Sequence, residues 1–133
     1  ARRTCCQKLH DSVAQGVGYR LYQVRKPKNR HLVDVRSVRE LPACKRLRKV
    51  LIVTPAQLVG HKIVSMINRP KTPKGLTDAA DVRRLLLTFP ELKTEEGPVA
   101  EALRGMPTAD EAFRVWRDLV AEEILPEDEE AGF

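Results

Sequence analysis

Val50-Leu51-Ile52-Val53-Thr54-Pro55-Ala56-Gln57-Leu58-Val59-Gly60-His61-Lys62-Ile63-Val64-Ser65-Met66-Ile67-Asn68-Arg69-Pro70 is the stretch whose reading decides the fold class. The four leading apolar residues are too few for a helix, so they read as a strand that is apolar on both faces and interior to a sheet. Thr54-Pro55 then changes the period. A threonine oxygen can accept from a free N–H of the first helical turn, and proline at the next position has no N–H to leave unsatisfied. Leu58, Val59, Ile63, Met66 and Ile67 follow at helical spacing until Asn68-Arg69-Pro70 ends the pattern.

Outward from this core the elements alternate in type. Downstream, a basic loop from Lys71 to Gly75 leads to Thr77, the expected cap of a second helix whose Val82, Leu85, Leu86 and Phe89 share a face before Pro90. A short helix is expected over 98–104 and a longer one over 110–124, the latter burying Phe113, Trp116, Leu119, Val120 and Ile124. Upstream, Tyr19 to Val24 and His31 to Val35 read as a hairpin around Lys26-Pro27-Lys28-Asn29. Lys45 to Lys49 reads as part of a polar connection, and Cys5, Cys6, Leu9 and Val13 as a short opening helix. The expected architecture is α+β, with a small sheet (a hairpin plus one interior strand) packed on several helices. It is one domain over 1–126, followed by an acidic tail over 127–133.

Charge divides the chain. Residues 1–75 carry 18 Lys and Arg against 3 Asp and Glu, whereas residues 76–133 carry 6 against 15. The first part attracts phosphates and the second repels them. No apolar run approaches the roughly 20 residues that cross a bilayer, so a membrane is not expected and a cytoplasmic location follows by default. The start at Ala1 suggests a trimmed N-terminus. Cys5, Cys6 and Cys44 are too few and too scattered for a disulfide scaffold or a four-ligand zinc site. No metal site is expected. Glycine-rich phosphate loops and a nucleophile elbow are likewise missing from the sequence.

Lys62 is the most unusual local feature, because helical geometry places it inside the apolar stripe of Leu58, Val59, Ile63 and Met66. A lysine there needs a partner, and the facing side of the next helix offers Asp78, with Asp81 at its edge. Arg69 points the same way as Lys62, and Lys71 and Lys74 lie in the loop between. An ordinary salt bridge satisfies all of this without any function.

Residues 57–69, followed by Lys74-Gly75-Leu76-Thr77-Asp78-Ala79-Ala80-Asp81-Val82, resemble the C-terminal motifs of abortive-infection-type nucleotidyltransferases, which include toxins of bacterial toxin–antitoxin pairs. The resemblance covers residues 50–88, with a weaker part at 31–36. It implies that Lys62 is the helix lysine shaping a nucleotide site, Arg69 the downstream arginine, Asp78 and Asp81 the acids of the last motif, and Asp34 the lone acid of a later strand. It also implies Mg²⁺-dependent chemistry, which requires a Gly-Ser turn beside paired carboxylates. The sequence has neither Gly-Ser nor Asp-x-Asp, and Thr77 stands where the family carries a basic residue. A catalytically incomplete relative, or a fragment whose catalytic half lies before Ala1, is therefore expected, with Mg²⁺ relevant only to a catalytic form. Its ligand would be phosphate-bearing, a nucleotide or nucleic acid, with Lys62, Arg69, Lys74, Asp78, Asp81 and Asp34 as candidates.

Arg25, Lys26, Lys28, Arg30 and Arg36 crowd the hairpin, and Lys45, Arg46, Arg48 and Lys49 precede the inner strand, so these nine are nucleic-acid candidates. Tyr19, Tyr22 and His31 lie among them as stacking faces. The competing reading is a solvated surface balanced by the acidic half. A third is a non-catalytic interaction protein, in which opposite charges pair between two copies as a symmetric homodimer.

Overall fold

The computed structural model describes residues 3–10 and 17–127. The fold is α+β, and the described residues form five strands in two antiparallel sheets and four α-helices. Its contacts fall into two compact units, Ala1–Leu41 and Pro42–Phe133.

In the N-terminal unit, β1 (Thr4–His10), β2 (Val17–Gln23) and β3 (Arg30–Arg36) form an antiparallel sheet in that order. The β2–β3 hairpin turns where Lys26 to Asn29 called for a turn. The opening segment is a strand rather than the expected helix, since residues 4–10 pair along their whole length with residues 17–23. Its helical spacing spanned only two turns, and an isolated helix of that length is marginal in water, so pairing decides. Val13 and Gly16 lie outside the described residues.

The C-terminal unit begins with β4 (Cys44–Leu47) and β5 (Val50–Val53), a second sheet joined by a turn at Arg48-Lys49. This corrects two expectations. The basic run before Val50 is a strand and turn rather than a connection, and β5 is not interior: Val50 is 61% and Leu51 48% exposed. An apolar run of four cannot by itself distinguish an interior strand from one arm of a two-stranded ribbon, because both satisfy the same alternation.

The helices are α1 (Pro55–Asn68), α2 (Pro73–Thr88), α3 (Pro98–Arg104) and α4 (Ala109–Ala121), with one 3₁₀ turn at Pro90–Leu92. Thr54 caps α1 as its Oγ1 accepts from the Gln57 N–H at 3.2 Å. The same device starts α2 earlier than Thr77. Thr72 precedes Pro73, and its Oγ1 accepts from the Gly75 N–H at 3.0 Å, so Pro73, Lys74 and Gly75 of the supposed basic loop are helix. Gly75 is needed because a Cβ there would fall 1.8 Å from the Arg69 carbonyl oxygen.

The core is made by one face of each helix: Val59 and Ile63, Val82 and Leu86, Val99 and Leu103, Ala112, Trp116 and Leu119. Each of the larger side chains contributes about 1.5–3 kcal/mol by leaving water. Ile124 lies beyond α4 yet still packs against this core. Among the described residues, no helix is long and apolar enough to cross a membrane.

Candidate functional site

The α1–α2 seam brings together Lys62, Arg69, Lys74, Asp78 and Asp81. Asp78 and Val82 are successive turns of one face of α2, so the acid enters the seam beside the core, where it is 1% exposed. The Lys62 Nζ donates to Asp78 Oδ1 at 2.9 Å and to Asp81 Oδ2 at 2.7 Å. Ser65 donates to Asp78 Oδ2 at 2.7 Å, Arg69 donates to the same oxygen at 3.3 Å and to Ser65, and Lys74 reaches Asp78 Oδ1 at 3.3 Å. Arg84 approaches Asp81 at 3.4 Å. The buried acid is thus engaged by four side chains, two on each oxygen.

These contacts set the protonation states. Burial opposes the Asp78 carboxylate, but the hydrogen bonds from Lys62, Ser65 and Lys74 outweigh it and hold the group well below its ordinary value. Asp81 is lowered chiefly by the Lys62 hydrogen bond, and Lys62 is raised by Asp81 and then Asp78. All stay charged at neutral pH. Lys62, Arg69 and Lys74 outnumber the two acids, and Arg84 is engaged more closely by Glu127 at 2.8 Å, so the cationic part of the rim is half-exposed Arg69 and Lys74.

The residues do not fit a catalytic Mg²⁺. A hard divalent ion wants about six oxygen ligands, while here only two carboxylates are present and Lys62 donates to both. Among the described residues, no group of three or more His, Cys, Asp or Glu gathers as metal ligands.

Asp34 belongs to the N-terminal unit and is not part of that cluster. It accepts two hydrogen bonds from Arg20, at 2.7 and 3.0 Å, and lies 2.9 Å from His31 Nε2. The Arg20 guanidinium, against a smaller desolvation effect, lowers its pKa to about 2. The cross-strand register explains the contact, since Arg20 stands directly opposite Asp34.

The same register sorts the aromatic residues. Tyr22 lies opposite Cys5 on one side and His31 on the other, with the Tyr22 and His31 rings 5.9 Å apart and inclined at 53°. A bulge at Leu32 allows His31 and Asp34 to share this face. Tyr19 is an odd number of residues from Tyr22 and so occupies the opposite face. Sequence reasoning missed Ser65 and the pairing of Arg20 with Asp34. Ser65 sits one turn beyond Lys62, which was a usable signal, whereas Arg20 required the register.

The basic candidates all lie on the two hairpins and are exposed: Arg25, Lys26, Lys28, Arg30 and Arg36 in the N-terminal unit, and Lys45, Arg46, Arg48 and Lys49 in the C-terminal unit. Arg48 holds φ 55 in the β4–β5 turn, so its side chain projects from a tight two-residue connection. Compared with family models, curated proteins and solved structures, the chain matches none.

Proposed function

We propose that the protein binds nucleic acid through its exposed basic hairpins, contacting the phosphate backbone. One contrast carries this reading. Arg83, Arg84, Arg104 and Arg117 are engaged by Glu122, Glu127, Glu96 and Glu95. Among the described residues, Arg25, Lys26, Lys28, Arg30, Lys45, Arg46, Arg48 and Lys49 form no ion pair. These four glutamates are therefore engaged by arginines of their own unit, while the eight hairpin cations just named stay open to a polyanion.

The energetics follow from counterion release. Each phosphate neutralised on a duplex frees condensed ions, so log K falls with log salt at a slope of about 0.9 per contact. Replacing Lys45, Arg46, Arg48 and Lys49 by Ala should weaken binding of a duplex oligonucleotide and reduce that slope by roughly 2–4. An unchanged affinity and slope would remove the β4–β5 hairpin from the interface.

Kinship with the abortive-infection-type nucleotidyltransferases is proposed on the meeting of Lys62 and Arg69 with Asp78, and of Lys62 with Asp81, across the α1–α2 seam. Nucleotidyl transfer is not part of the proposal, because Lys62 engages both carboxylates. Incubation with Mg²⁺ and labelled nucleoside triphosphates should give no label transfer to protein or RNA; transfer lost in Asp78→Asn would contradict this.

A further inference from the structure

We infer that the N-terminal unit holds a site for one unstacked base of a single-stranded nucleic acid, in the cleft between Tyr22, Cys5 and the 25–29 turn. The inference rests on the nucleic-acid reading above and names the form of the ligand. The cleft has a volume of about 540 Å³, within the range of roughly 300–1,000 Å³ found for small-molecule sites.

The lining suits a flat, heteroatom-edged ring. Tyr22 is half-buried, held on one side by its hydroxyl donating to Gln7 Oε1 at 3.4 Å and on the other by the His31 ring. Both Tyr22 and Pro27 line the cleft, offering an aromatic and an apolar surface. Asn29 Oδ1 accepts from the Arg25 backbone N–H at 3.2 Å. That orientation leaves the two N–H groups of the Asn29 amide to donate to a base edge. Lys28 stands at the same cleft, and Arg25, Lys26 and Arg30 flank it in sequence, so a base seated on Tyr22 has cations near its own phosphates. A base inside a duplex is stacked and paired on both sides and cannot enter, whereas a single strand can turn one out at small cost.

The test compares a twelve-residue single-stranded oligothymidylate, its ribose counterpart, an abasic strand with the same phosphates, and a duplex, all at low salt. Base-bearing strands should bind at least fivefold more tightly than the abasic strand. Tyr22→Ala should remove that advantage, a loss of roughly five- to hundredfold for one stacked base, while Tyr22→Phe keeps it. A second readout does not depend on Tyr22→Ala folding. In a Cys6→Ser, Cys44→Ser background, the base-bearing strand should slow maleimide modification of Cys5 at least fivefold, and the abasic strand should not. A gain with either sugar supports the cleft. Equal affinity for abasic and base-bearing strands, or an unprotected Cys5, overturns the inference while leaving backbone binding intact. Failure of every nucleic acid, duplex included, overturns the parent reading instead.

Discussion

Lys62→Met is the most informative change in the α1–α2 seam. The thioether keeps the apolar stem against the core and removes only the ammonium, which donates to Asp78 at 2.9 Å and to Asp81 at 2.7 Å. Removing one partner of a buried pair costs about 3–5 kcal/mol, because the other charge is left buried. Two features reduce this. Lys62 is itself 22% exposed, and Asp78 retains Ser65 along with Arg69 and Lys74, both at 3.3 Å. About 2–3 kcal/mol is the expected loss. Urea unfolding followed by Trp116 fluorescence reads it directly, since Trp116 is the single tryptophan and lies fully buried in this unit's core. The double variant Lys62→Met, Asp78→Asn should cost less than the sum of the two single changes, by about 1 kcal/mol or more. A loss below about 0.5 kcal/mol for Lys62→Met, within the range of ordinary surface changes, or strict additivity, would refute the reasoning.

Gly75→Ala should destabilise the C-terminal unit by about 3 kcal/mol, because its Cβ would meet backbone at 1.8 Å rather than a side chain that can move; a loss under about 1 kcal/mol would show that α2 shifts freely. The pH dependence is bounded on both sides. The carboxylates of Asp78 and Asp81 are depressed, so their contribution is full above the ordinary value of 3.8 and is lost as pH falls through the lowered values. Lys62 is raised, so its contribution is full below 10.5 and is lost as pH rises through its folded value. Urea midpoints of the native protein should therefore be level in this contribution from about pH 5 to pH 10, and the acid-side decline should shrink in Asp78→Asn. Lys62→Met, where folded, should leave nucleic-acid affinity and its salt dependence unchanged, as measured by fluorescence anisotropy.

The helices were legible because each carried its own signal. Thr54-Pro55 announces α1, Pro90 ends α2, and the recurrence of Phe113, Trp116, Leu119 and Val120 marks the apolar face of α4, on which Trp116 and Leu119 are buried, Phe113 and Val120 are partly buried, and Ala112 is a buried position the pattern did not name. Lys62 within the stripe was enough to expect an acid opposite, and spacing on α2 named Asp78 and Asp81. Thr72-Pro73 repeats the Thr54-Pro55 device, so the true start of α2 was also there to be read; the run of lysines around it made it look like a loop. Strands fared differently, because their partners lie far along the chain. Nothing local in Thr4–His10 states that it pairs with Val17–Gln23, and Val50–Val53 carries no mark of being one arm of an exposed ribbon. The Arg20–Asp34 and Tyr22–His31 contacts follow only once the register is known. Hairpin cations were nameable from composition, but which of them lack an ion pair among the described residues, as Lys45, Arg46, Arg48 and Lys49 do, depended on the fold.

Affinity of the intact protein for a duplex oligonucleotide, measured from about 50 to 300 mM salt, bears most directly on the central claim. The open cations, four on each hairpin, predict a log–log slope at least as steep as roughly −2 to −4, the two to four phosphate contacts that one hairpin makes by itself. A slope near zero, or no binding at the lowest salt, would contradict it.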